Sequence, residues 1–181
     1  MLLATGWRVS ELHACVRQEE YCQFSYDSSL RLRPHPSFLA KNECPRRRWT
    51  HKEIKNLILP DGKVSKLCPV SSLKSYINRS NSSQTGPLFQ PFRKEAKPFT
   101  VAQLSSHICK LILEADEETK AKVHDIRKYA SSCALAQTML IGELTNAIGW
   151  SSPVTFYKHY LSATESLRVN AVLPVMSLND Q

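Results

Sequence analysis

The chain has 181 residues, enough for one ordinary domain with its own core, and its 42% hydrophobic and 22% charged content excludes a disordered chain. No apolar run approaches the roughly 18 residues needed to cross a bilayer, and Met1-Leu2-Leu3-Ala4 is too short for a signal peptide, so a soluble intracellular protein with no membrane partner is expected. Twenty-four Lys and Arg against 16 Asp and Glu give a formal net charge of +8, which points to a polyanionic partner.

Apolar residues at helical spacing (Leu2, Leu3, Val9, Leu12, Cys15, Val16) predict one helix from Met1 to about Arg17. Tyr21 to Ser25 and Ser29 to Leu32 read as short strands around an Asp-Ser-Ser turn. Pro34 and Pro36 break the pattern, and a basic segment then leads to Ile54–Leu59, whose Ile and Leu content predicts a third strand before the Pro60-Asp61-Gly62 turn. Between Arg31 and Lys66 stand ten basic residues against three acidic ones, so nearly the whole charge excess lies in one stretch suited to nucleic-acid phosphates. Arg46, Arg47, Arg48 and Lys52 are candidate DNA-backbone contacts there, and Lys128 is another further on.

From Cys68 onward the pattern turns helical. Pro69 suits a first helical position, with Val70, Leu73, Tyr76 and Ile77 on one face; Asn78 to Gly86 reads as a loop. Thr100 is an N-cap candidate for a helix carrying Val101, Leu104, Ile108, Leu111 and Ile112, which the acidic stretch Glu114–Glu118 closes. Further helices are predicted over Asp125–Met139, Gly142–Ile148 and Val154–Leu161. The fold class is therefore α+β: a mainly helical domain with a small antiparallel β-sheet. Six scattered cysteines without a C-x-x-C pair read as buried or incidental thiols, not as a metal site or a disulfide framework.

Singly, the chemistry-bearing residues are modest signals. Arg8 and Glu11 share a helix face, as any surface ion pair does. His124 and Arg127 lie one turn apart at a helix start, and Trp150, Tyr157 and Tyr160 could all be packing residues. Their order is more specific. Thr5-Gly6-Trp7-Arg8-Val9-Ser10-Glu11-Leu12, then His124-Asp125-Ile126-Arg127-Lys128, then Gly149-Trp150-Ser151-Ser152 with Tyr160 ten residues after Trp150, resembles the tyrosine recombinase (phage integrase) family. The Trp in G-W-S-S, with Phe38-Leu39-Ala40-Lys41 and Leu67-Cys68-Pro69-Val70, looks most like recombinases of DIRS-type retrotransposons or Cryptons. The H-D-x-R and G-W-S-S wording favours recombinases over type IB topoisomerases, which share the phosphotyrosine chemistry. A catalytically inactive DNA-binding remnant of a mobile element is the other alternative.

The resemblance implies a catalytic domain over residues 1–161, N-terminally incomplete, followed by a helix or tail over 162–181. It also implies double-stranded DNA as partner, nuclear location and a tetramer on two duplexes. Tyr160 would attack a DNA phosphate and form a 3′-phosphotyrosyl bond, with no metal or other cofactor. Arg8 and Arg127 would clamp the phosphate, since two guanidinium forks match its oxygens and stay protonated; Glu11 would orient Arg8 or its neighbours. His124 would bond the phosphate or assist proton transfer, and Trp150 would donate its indole N–H. In the family a lysine on a β-hairpin protonates the leaving 5′ oxygen. Lys41, where the second strand is expected to end, is preferred, and Lys52 is the alternative. Lys128 stands where the family usually has His after the second arginine, and it keeps a donor.

Overall fold

The structure, a computed structural model, describes residues 1–26, 29–39, 51–80, 85–93, 96–118, 120–136, 139–148 and 152–159. Within them the chain is α+β, as its patterning predicts. In chain order the elements are α1 (Leu2–Thr5), α2 (Val9–His13), β1 (Cys22–Phe24), β2 (Leu30–Leu32), β3 (Lys52–Ile54), α3 (Pro69–Arg79), α4 (Val101–Ala115), α5 (Val123–Ala136), α6 (Ile141–Ile148) and α7 (Pro153–His159). They divide into two compact units, Met1–Ala130 and Ser131–Gln181.

The single N-terminal helix predicted from periodicity is two short ones. Gly6 ends α1 in the left-handed region (φ 63°, ψ 15°) and its N–H bonds back to the Leu2 carbonyl. A residue without Cβ takes that conformation at no steric cost, so the chain turns there although the apolar spacing runs on. The Thr5 hydroxyl donates to the Met1 carbonyl at 3.1 Å and accepts the Trp7 N–H at 3.2 Å, which fixes the turn on both sides.

The sheet has the order β1-β2-β3, antiparallel throughout. Its register aligns Cys22, Leu32 and Lys52 in one row and Phe24, Leu30 and Ile54 in the next, on the same face. The row between them, Gln23, Arg31 and Glu53, is polar and faces the other way, as strand alternation requires. Leu30 and Leu32 are fully buried, and Cys22 and Ile54 nearly so. The third strand starts and stops earlier than its Ile and Leu content predicts. Beyond Ile54 the chain forms a separate small loop: Ser65 N–H bonds to the Leu57 carbonyl, Leu59 N–H to Lys63, and Ile58 bridges Val64 around Gly62 (φ 78°). Pairing with β2 ends where that local hairpin begins.

Trp7, Leu12, Cys15, Cys68, Val70, Leu73, Leu88 and Val123 complete the core of the first unit. Pro69 opens α3 after Cys68, and Thr100 caps α4 in a capping box with Gln103, both where their residue types predict. His13 Nε2 lies 2.7 Å from the Phe99 carbonyl and ties α2 to the start of α4. Arg17 bonds Ser80 Oγ at 2.6 Å and the Leu88 carbonyl at 3.3 Å, pinning the segment after α3. In the second unit Leu144 and Ile148 of α6 are buried, with Ala134, Leu135 and Ile141 packed against them. Cys15, Cys22 and Cys68 are buried free thiols. Among the described residues no helix is long and apolar enough to cross a membrane, and no group of three or more His, Cys, Asp or Glu could hold a metal ion. The proposed tail, residues 162–181, lies outside the described residues.

Candidate active site

The turn at Gly6 delivers Arg8 to the N-cap of α2 with an extended backbone (φ −78°, ψ 161°). A guanidinium has no acceptor, so Arg8 cannot cap the helix with its own side chain. Glu11, at the third helical position, reaches back instead. Its Oε2 accepts the Arg8 backbone N–H at 2.5 Å, and its Oε1 accepts Arg8 Nη1 at 3.4 Å. A carboxylate in the first turn also meets the positive end of the helix dipole favourably.

The same carboxylate receives a second arginine from 116 residues away. Arg127, on α5, donates Nη1 to Glu11 Oε2 at 3.1 Å, and both side chains are almost fully buried, at 2% and 3% exposure. Arg8 remains 32% exposed, so of the two guanidinium groups it is the one open to solvent. Burying an ion pair is costly unless the remaining lone pairs are satisfied, and here one carboxylate accepts three charge-assisted or backbone bonds.

Lys52 joins this cluster from β3. Strand alternation puts it on the inner face with Ile54, opposite Leu32. Its ammonium donates to the Thr5 carbonyl at the end of α1 and lies 5.4 Å from the centroid of the buried Trp7 ring. Burial pulls its pKa from 10.5 down to about 8; the Glu11 carboxylate opposes that fall and the Arg127 guanidinium adds to it. Arg8, Arg127 and protonated Lys52 are three cations around one carboxylate, an excess that favours an anion. His124 is exposed, one turn before Arg127. Desolvation lowers its pKa, and Lys128, Arg127 and Arg8 lower it further against the pull of Asp125, so its ring is neutral near pH 7 and can accept a proton. Asp125 accepts the Lys122 N–H at 2.8 Å and pairs at 3.1 Å with Lys128, whose side chain stays partly exposed.

Of the residues predicted from the sequence, Arg8, Glu11, Arg127 and Lys52 are thus brought together, with His124 electrostatically coupled to Arg8 and Arg127. Lys41, Arg46, Arg47, Arg48, Trp150 and Tyr160 lie outside the described residues. β2 ends at Leu32, nine residues before Lys41. Tyr157 is 53% exposed on α7. Thr5 and Trp7 also belong to this cluster, through the Lys52 ammonium, although motif order does not point to either. The available signal was local: Lys52 stands two residues before Ile54, hence on the face that carries the core.

The fold is that of a tyrosine recombinase-like α+β domain. Among solved structures it is similar to XerA recombinase, with a TM-score of 0.60 and 19% sequence identity, over 92% of this chain and 52% of that one. The chain therefore spans about half the length of the structure it matches. No protein-family model matches the sequence. No curated protein is significantly similar to it.

Proposed function

We propose that the chain breaks and rejoins DNA strands as a tyrosine recombinase, with Tyr160 as nucleophile. The observation that carries this reading is the cluster itself. Glu11 holds the guanidinium groups of Arg8 and Arg127 on one carboxylate, and Lys52 stands beside them from the sheet. Arg8 and Arg127 neutralise the non-bridging oxygens, where charge crowds in the transition state. His124, neutral near pH 7, accepts the Tyr160 proton as its oxygen bonds to phosphorus. Lys52 gives its proton to the 5′ oxygen as the P–O5′ bond breaks, which leaves a 3′-phosphotyrosyl bond and a free 5′ hydroxyl. A second 5′ hydroxyl reverses the steps and rejoins the strand without an external energy source. Trp150 adds an indole N–H donor to the phosphate, and Arg46, Arg47, Arg48 and Lys128 serve as DNA-backbone contacts. By the wording of its motifs the chain is an enzyme of a DIRS-type or Crypton-type mobile element, acting in the nucleus as a tetramer on DNA.

The test uses a pool of nicked duplexes of random sequence, in which a released short strand traps the covalent intermediate. An adduct that survives Tyr157→Phe and is lost in Tyr160→Phe supports the reading. No adduct from the wild-type chain, with salt-sensitive duplex binding still present, overturns it in favour of a DNA-binding remnant. Replacing the bridging 5′ oxygen by sulfur supplies a leaving group that needs no proton. That substrate restores cleavage by Lys52→Ala if Lys52 is the general acid, and restores Lys41→Ala instead if Lys41 is.

A further inference from the structure

Lys52 poses an electrostatic problem that the reading above does not solve. It shares an inward-facing row with Leu32 and Cys22, where its half-buried ammonium loses part of its water. The charged groups acting on it are Glu11 from α2 and Arg127 from α5, and they oppose each other. The Glu11 oxygens are already engaged by Arg8 and Arg127. Leu32 stands opposite on β2, and α1 (Leu2–Thr5) has no ionisable side chain. The Thr5 carbonyl accepts one of the three ammonium N–H bonds. What remains on the described side is the face of Trp7.

We propose that Trp7 is a positioning residue for Lys52: its buried indole face and the Thr5 carbonyl hold the ammonium charged beside Glu11 and Arg127. The geometry meets the requirement for a cation–π contact, with Nζ 5.4 Å from the ring centroid, inside the limit of about 6 Å. Trp7 is 2% exposed, so water does not screen the attraction, and Trp provides the strongest ring quadrupole among the side chains. The ring is fixed by backbone: Gly6 turns the chain before it, the Thr5 hydroxyl holds its N–H, and Arg8 starts the next helix. One four-residue segment, Thr5-Gly6-Trp7-Arg8, therefore supplies a phosphate-binding guanidinium and the seat of the proton donor. In the family motif the position between Gly and Arg is open, so Trp7 is a feature of this chain.

This inference rests on Lys52 being the general acid, but its first readout does not. Carbon-13 labelled lysine, with Lys52 assigned by its loss in Lys52→Arg, reports the titration of Lys52 in the full chain without DNA. Trp7→Met keeps apolar bulk and loses the ring face, and should lower the Lys52 pKa by roughly one unit; Trp7→Phe should lower it less. Trp7→Met removes a core residue and can impair folding. Graded fluorination of the indole at position 7 weakens the ring quadrupole at nearly constant shape, and should lower the pKa stepwise. A pKa that stays level or rises across the fluorinated series overturns the inference. With nicked DNA, the alkaline limb of the cleavage profile should move to lower pH in step with the titration. If the titration moves but the bridging-sulfur substrate fails to restore Lys52→Ala, the assignment of Lys52 as general acid falls and the Trp7 contact stands.

Discussion

Glu11→Gln is the perturbation that most directly probes the cluster. The native carboxylate accepts Arg127 Nη1 at 3.1 Å, Arg8 Nη1 at 3.4 Å and the Arg8 backbone N–H at 2.5 Å, with the Glu11 and Arg127 side chains 3% and 2% exposed. Gln keeps one acceptor oxygen and nearly the same volume but removes the charge, so a buried guanidinium loses its counter-ion. Removing one member of a buried pair costs about 3–5 kcal/mol, and the retained acceptor argues for the lower end, about 3 kcal/mol. At a urea slope of about 2 kcal/mol/M the unfolding midpoint should fall by about 1.5 M with the slope unchanged. The assay is equilibrium urea unfolding followed by Trp7 fluorescence, with Trp49 and Trp150 replaced by Phe in both chains, so that the signal comes from the core of the first unit. Pairing Glu11→Leu with Arg127→Met should recover most of the loss, because a filled apolar site carries no unpaired charge. A loss below about 1 kcal/mol in Glu11→Gln, the range of an exposed ion pair, would refute the claim that Glu11 and Arg127 form the buried anchor.

Two further outcomes follow from the same residues. The folded pKa of Lys52, about 8, lies below its ordinary 10.5, so between those values the unfolded chain holds a proton that the folded chain has released. The stability of the wild type relative to Lys52→Met should therefore rise with pH through that window, by about 3 kcal/mol, as parallel urea titrations can measure. Gly6→Ala places a Cβ at φ 63°, which should cost about 1–2 kcal/mol and lower the midpoint of thermal unfolding. Because the same turn sets Trp7 and Arg8, that variant should also lose adduct formation by more than its stability loss explains.

The fold class was legible because its signals are local. Thr100 before an apolar period of 3.6, Pro69 at a first helical position and short alternating runs around a turn each report on their own neighbours. The errors have the same origin. Val9 and Leu12 continue the apolar spacing of Leu2 and Leu3, so periodicity joins α1 to α2, whereas the left-handed Gly6 separates them. Ile58 and Leu59 have strand propensity, yet their hydrogen bonds close a local hairpin and β3 lies earlier, at Lys52–Ile54. Lys41 itself lies outside the described residues. The pairing of Glu11 with Arg127 spans 116 residues, and no period or propensity carries it; motif order places Arg8 and Arg127 in one site but does not give this bond.

The burial of Arg127 sharpens what the cluster must do to act on a phosphate. Arg8, at 32% exposure, is the guanidinium open to an incoming anion as it stands, whereas Arg127, at 2% and bonded to Glu11, would join the proposed phosphate clamp only with a rearrangement around it. Under the proposed function, a phosphate arriving at Arg8 would add negative charge beside a cluster with an excess of cations. That charge would stabilise protonated Lys52. Under the proposed function, phosphate binding and the charge of Lys52 would thus be linked electrostatically. With a pKa of about 8 Lys52 is largely charged near pH 7, and under the proposed function a bound phosphate would keep it so until the 5′ oxygen is protonated.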